Sequence, residues 1–389
     1  TQKTTEHNMV SDTSTAFLSE QECLIRDSAR RAAQGILAPT AAERDRSGAW
    51  PTQELKALAD MGLLGILIPE EYGGSGSSFV EYCLAIEALA EADAGVATIL
   101  HVHNATGSTL HRLSNEQQRQ RWLPAIARGQ TIVASLFSEP RAGSETAAFT
   151  TTAVREGDNY VLNGTKQWIS NGDEAGIGIV LAKTDAAAGK RGFTLFALDP
   201  KTPGYNVLRV EHKLGQRTAH TVQIGLENLK VPVSWRLGEE GEGYAKVLGF
   251  LSEGRIVIAA LAIGVAQAAL DAATKYARER QVRGQPIFNL QAVNFDLAEM
   301  AMKVDVARQY MLHAARLSAA GLPCAKEAAI AKLYASEMAE QVCSDAIQIH
   351  GGYGYVNDFP VERYNRDVRV TKIYEGTSHI QKLIIGRHL

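Results

Sequence analysis

Glu375 stands in IYEGTSHIQ (373–381), a single carboxylate between a tyrosine and a glycine, just ahead of an apolar-periodic run. In water a carboxylate is too weak a base to touch a proton on carbon. Desolvated, and beside donors that take up developing negative charge, it can remove a proton next to a carbonyl. Ser378-x-x-Gln381 has capping-box spacing, which predicts a helix starting there and leaves Glu375 and Gly376 on irregular backbone before it. Gly376 permits close backbone approach to a ligand, and amides at a helix start can hold an oxygen. The plain alternative is a solvated acid that favours the helix dipole.

Other chemistries are poorly represented. The four cysteines (Cys23, Cys83, Cys324, Cys343) form no C-x-x-C pair, which argues against a disulfide framework or a thiolate metal site and favours a reducing compartment. His101 and His103 in LHVHN have no evident third ligand, so packing is expected of them and no metal. No Rossmann fingerprint, P-loop, H-E-x-x-H or G-x-S-x-G is present, and EEYGGSGSS (70–78) lacks phosphate-loop spacing and reads as an interhelix loop. A net charge of −3 without a basic patch gives no attraction for nucleic acid or anionic lipid.

The elements that must position Glu375 fall into three blocks. With 45% apolar and 21% charged residues over 389 positions, the chain has material for two or three globular domains. Residues 1–17 are polar, lack the apolar stretch of a secretory signal, and read as a flexible extension. Residues 18–130 are helical in pattern, with a capping box at Ser19 and Glu22 and a second segment opened by Pro51. Residues 131–238 carry short Val-, Ile-, Thr- and aromatic-rich strands between turn residues, which predicts an antiparallel β domain. Residues 239–389 return to long alanine-rich helical patterns, near 242–280, 290–320, 324–349 and 379–388, which suggest a four-helix-bundle-like domain. The longest apolar run, Ile256–Leu270, is shorter than a membrane span, so a cytoplasmic protein is expected. Residue pattern alone ends at an α+β multidomain protein with a cleft between domains.

Six stretches together resemble the acyl-CoA dehydrogenase family, most closely its short-chain and short-branched-chain members: SLFSEPRAGSE (135–145), YVLNGTKQWISNG (160–172), GEEGEGY (238–244), YARERQVRGQPIFNLQAVNF (276–295), QIHGGYGYVNDFPVERYNRD (348–367) and IYEGTSHIQ. The resemblance runs from about residue 18 to the end. It implies helical, β and helical domains, a homotetramer, and FAD held between domains and across a subunit interface. The reaction implied removes the α-proton and β-hydride of an acyl-CoA, leaving a trans-2-enoyl-CoA, with electrons passing to an electron-transfer flavoprotein.

Residue by residue, the resemblance makes Glu375 the catalytic base. It places FAD contacts at Leu136, Phe137, Ser138, Trp168, Ile169, Ser170, Arg280, Gln291, Gln348, Gly351, Gly352, Thr377 and His379, and substrate contacts at Ser144, Ser252, Gly254, Arg255, Tyr374 and Gly376. Some relatives carry the base just before the arginine of FLSEGR. Here that position is Gly254, and Glu253 should point elsewhere on a helix. Two positions depart from the family pattern: Arg283 replaces a usual phenylalanine, and His379 a usual glutamate or glutamine. The same fold also hosts carrier-protein thioester dehydrogenases, oxygen-using oxidases and flavin monooxygenases. A flavin-free scaffold is the non-enzyme alternative.

Overall fold

The computed structural model describes residues 17–389, so the extension expected at 1–17 lies, but for Phe17, outside the described residues. Six helices come first: α1 (Glu20–Ala32), α2 (Ala41–Ser47), α3 (Thr52–Asp60), α4 (Phe79–Ala90), α5 (Ala94–Leu113) and α6 (Glu116–Ala127). Ser19 caps α1 in the reciprocal box with Glu22, and Ser78 does the same for α4 with Glu81, which ends the glycine-rich loop.

The sheet follows: β1 (Ile132–Leu136), β2 (Thr152–Glu156), β3 (Asn159–Ser170), β4 (Ala175–Lys183), β5 (Phe193–Leu198), β6 (Tyr205–Val210), β7 (Thr221–Pro232) and β8 (Arg236–Leu237). Its order is β6-β7-β3-β2-β4-β5-β8, with β1 joined to β4. The pairing is antiparallel except that β1 runs parallel to β4 and one parallel bridge joins Thr152 to Lys183. Alternating burial reveals which residues face inward but not which way a neighbour runs, so the parallel pairs were not legible in sequence.

The last third holds α7 (Gly243–Glu279), the hairpin β9 (Gln281–Val282) and β10 (Gln285–Pro286), then α8 (Gln291–Ala319), α9 (Ala325–His350), α10 (Val361–Val368) and α11 (Ser378–Gly386). Ile256, Ile258, Leu261, Ile263 and Val265 of α7 are all fully buried, and each contributes about 1.5–3 kcal/mol of transfer free energy. By length and composition α7 could cross a membrane, which the apolar run alone did not indicate, but 78% of its most apolar window is buried inside the fold. It is the core helix. α4 crosses it at Gly264, where a Cβ would stand 2.1 Å from the Glu87 carbonyl oxygen.

Candidate active site

After α10 the chain makes a short 3₁₀ turn, Arg369–Lys372, and enters the loop carrying Glu375. Glu375 (φ +52°) and Gly376 (φ +91°) are both left-handed. For a residue with a side chain this conformation costs about 1–2 kcal/mol, so other contacts must hold it. The predicted capping box does not form: Thr377, not Ser378, is the N-cap and accepts from the Ile380 amide, Ile380 has no polar group to reach back, and the Ser378 hydroxyl is buried without a partner. Either hydroxyl can cap a helix, and the left-handed pair at 375–376 brings Thr377 to the extended conformation a cap needs. Gln381 is freed to turn back, donating to the Gly376 carbonyl at 2.8 Å and the Glu375 carbonyl at 3.2 Å. From α9, the fully buried Lys332 donates to the Gly376 oxygen at 2.6 Å. The amides of Glu375 and Gly376 take no partner among the described residues.

The carboxylate lies over α7. A Cβ built at Gly254 would come within 2.7 Å of Glu375 Oε2, so any side chain at that position displaces the acid. Glu253 points away, into a two-pronged pair with Arg112 at 2.8 and 2.7 Å. Ser252 is half-buried, and Arg255 is buried with its Nε unpaired. Burial pushes the Glu375 carboxyl above the ordinary range, against the pull of Arg255 and Lys332. Burial likewise lowers Lys332 to about 8, with Glu375 supporting and Arg255 opposing its charge. Tyr374, pushed by burial to about 12, sets its hydroxyl 3.4 Å from Gln216 Nε2. Nearby, Tyr82 bonds His101 Nδ1 at 3.1 Å within the field of Glu375, and burial holds His101 near 4, so its ring is neutral.

A second cluster sits on the β domain. Trp168 (φ +63°) occupies the irregularity between Lys166 and Ile169 and is 62% exposed, an aromatic side chain largely uncovered by this chain. Ser170 is half-buried beside it, and Ser138 has its hydroxyl unpartnered among the described residues. The fit to a flavin ring is therefore good. Leu136 and Ile169 send their side chains into the sheet core, which leaves only their backbone free to meet a ligand. Phe137 and Ser138 are held from below: Lys166 Nζ donates to the Phe137 carbonyl at 3.0 Å and to Glu139 at 3.0 Å, and the Gln167 amide donates to the Ser138 carbonyl at 2.8 Å. Burial opposes the Glu139 charge, yet Lys166 and the Thr150 and Thr151 donors bring the carboxyl down to about 2. Ser144 is exposed on the loop that Thr146 ties to Tyr244 at the start of α7.

The remaining predicted cofactor residues are elsewhere. Arg280, Gln291, Gln348, Gly351 and Gly352 are exposed around the far end of α7, where the Arg280 guanidinium lies 5.9 Å from the Tyr353 ring centre. α7 is continuous, so the 26 residues from Gly254 to Arg280 span about 39 Å. One chain does not bring these groups together. Arg283 and Gly284, both left-handed, form the tip of the β9–β10 hairpin, with Arg283 exposed. His379 is exposed on the first turn of α11.

Asp173, Glu174 and His220 are close enough together to suggest a metal site. His220 Nδ1, however, meets Asp173 at 2.6 Å and Nε2 meets the Gly48 carbonyl at 3.0 Å. Both partners only accept, so both nitrogens carry protons and the ring is a cation, its pKa raised chiefly by Asp173. Sequence reasoning missed Lys332, Lys166 and Glu139, and gave Gln381 only a capping role. Each of the three reads on its own as a surface residue, and only the fold shows it buried under the loops of the site.

The acyl-CoA dehydrogenase N-terminal, middle and C-terminal domain models match residues 19–130, 134–229 and 241–389. The chain is 41% identical to the mitochondrial short-chain specific acyl-CoA dehydrogenase of Mus musculus, over 96% of this chain and 90% of that protein. Its fold matches butyryl-CoA dehydrogenase of Megasphaera elsdenii with a TM-score of 0.93 at 37% identity, over 95% of this chain and 98% of that one. It also matches a chain solved in work on the electron transferring flavoprotein of Acidaminococcus fermentans, with a TM-score of 0.94 at 40% identity, over 95% and 98%. Taken with the strained, half-sequestered carboxylate and the exposed tryptophan plate, these matches make the chain a member of the acyl-CoA dehydrogenase family, FAD-dependent oxidoreductases of fatty acid metabolism.

Proposed function

We propose that the enzyme converts a short or short-branched acyl-CoA to the trans-2-enoyl-CoA, with Glu375 as the base and an electron-transfer flavoprotein as electron acceptor. The observation that carries this reading is the Glu375 carboxylate resting over Gly254, with unpaired amides in its own loop. Those amides suit a thioester carbonyl, where they would stabilise the enolate-like charge that develops as the α-proton leaves. Burial makes Glu375 a stronger base than a solvated glutamate, while Arg255 and Lys332 favour its ionised form. Bound FAD supplies the acceptor for the β-hydride. Trp168, Ser170, Phe137 and Ser138 would hold its ring, and Ser144, Ser252, Arg255 and Tyr374 would line the path of the thioester.

The distance along α7 supports a composite site: Arg280, Gln291, Gln348, Gly351 and Gly352 of one copy would hold the FAD whose ring lies on another copy, with Thr377 and His379 near it. A homotetramer provides such pairs. The flavoprotein work that yielded the Acidaminococcus chain supports the choice of acceptor.

Tyr82 and His101 fill space close to the base between α4, α5 and α7, which favours short acyl groups. Steady-state assays across chain length test this. An unrestricted apolar pocket gains about 0.8 kcal/mol per buried methylene. The expected result is a maximum in kcat/KM at C4 to C6, and a steady rise out to palmitoyl-CoA would sink the short-chain assignment.

A further inference from the structure

Lys332 is unusual in what surrounds it. It projects from an alanine-rich face of α9, where Ala328, Ala329, Ala331 and Ala335 are also buried, and its side chain has no exposed surface. A lone ammonium in such a place is strongly unfavourable. Among the described residues its single acceptor is the Gly376 carbonyl at 2.6 Å. Gln381, also fully buried, donates to the same oxygen and to the preceding carbonyl.

These two donors fix the direction of two successive peptides. In a trans peptide the carbonyl and the amide of the next residue point opposite ways. Drawing the Glu375 carbonyl toward Gln381 therefore turns the Gly376 amide the other way, out of the packed side of the loop. The Gly376 carbonyl, drawn toward Lys332, anchors the other end of the left-handed pair. Without these ties the Glu375 conformation has no local reason to persist.

A neutral donor would satisfy a carbonyl, so the charge calls for a second reason. The ionisable groups acting on Lys332 are Glu375 from the loop and Arg255 from α7, and α11 offers only the neutral Gln381. We propose that Lys332 is a positioning residue for the reaction: its ammonium holds the Gly376 carbonyl, and so the base and the loop amides, in the reactive arrangement, and its charge keeps Glu375 ionised. This rests on Glu375 being the base. It adds a buried cation on a different helix, whose titration would govern activity from the alkaline side.

The test compares Lys332→Met and Lys332→Gln with wild type and Glu375→Gln, using the FAD-loaded oligomer and the best acyl-CoA. Lys332→Met is expected to retain FAD and lower kcat by about 10–100-fold with a much smaller change in KM, as expected for a misplaced reacting group. The acid limb of its kcat/KM profile should move to higher pH, because a positive charge near Glu375 has gone, and the wild-type decline near pH 8 should disappear. Lys332→Gln keeps a donor and should recover part of kcat without recovering the acid limb. If Lys332→Met fails to fold, the acid limb of Lys332→Gln decides the matter. An unshifted profile in either folded variant, beside an inactive Glu375→Gln, overturns the role of Lys332 alone. An active Glu375→Gln overturns the reading on which it rests.

Discussion

At the scale of single residues, the proposed base, Glu375, sits where its charge costs stability. Its folded pKa lies above its unfolded value, so the folded state binds the proton more tightly and stability falls as pH rises through that interval. Above that interval the ionised, sequestered carboxylate is a cost to the fold. Glu375→Gln should therefore raise the melting temperature at pH 7, with the gain shrinking toward pH 4 as the wild-type acid takes up its proton. Thermal melts across that range check it, and a variant less stable than wild type throughout would contradict it. The same shift predicts that the acid limb of kcat/KM lies above the ordinary glutamate range. IYEGT exposed this residue to sequence reading because a carboxylate beside glycine before a helix is locally odd. Lys332 was hidden, since a lysine in an alanine-rich helix has the ordinary look of a solvated residue. The one-residue error at the cap arose because Thr377 and Ser378 are equally able to cap, and only backbone geometry chooses between them.

At the scale of elements, the end of β1 proposed to hold the flavin depends on an ion pair beneath it. Lys166 is fully buried and Glu139 nearly so, 3.0 Å apart, and Lys166 also ties down the Phe137 and Leu181 carbonyls. Lys166→Met leaves Glu139 buried without a counter-charge, held only by the Thr150 and Thr151 donors, so a loss of about 3–5 kcal/mol is expected in chemical denaturation. Adding Glu139→Gln should restore much of that, whereas FAD affinity should stay weakened because the Phe137 carbonyl remains unheld. A Lys166→Met protein within about 1 kcal/mol of wild type would show the pair to be dispensable. The strands themselves were legible from composition and turns. The pair under them was not, because NGTKQWIS gives no sign that Lys166 points inward and Trp168 outward. The irregularity in β3 breaks the alternation on which such a reading depends.

At the scale of the whole molecule, the order of helical, β and helical blocks followed from periodicity, and the resemblance supplied the cofactor. Assembly could not be read from spacing, yet the length of α7 makes it necessary to the proposed site. Arg280→Ala and Glu375→Gln should each be nearly inactive alone. If each FAD site draws Glu375 from one copy and Arg280 from another, co-refolding equal amounts of the two variants should restore about a quarter of wild-type activity by random pairing. No recovery in mixed oligomers would place both groups in one chain's site.

The central claim is that Glu375 removes the α-proton of an acyl-CoA so that the hydride can reach FAD. Anaerobic mixing of the purified holoenzyme with butyryl-CoA, followed by flavin absorbance in a stopped-flow instrument, tests it most directly. The account predicts rapid bleaching in wild type, and in Glu375→Gln an unbleached flavin or a rate lower by about 10²–10⁴-fold. Bleaching of Glu375→Gln at the wild-type rate, or a wild-type flavin left unreduced by every acyl-CoA from C4 to C16, would contradict it.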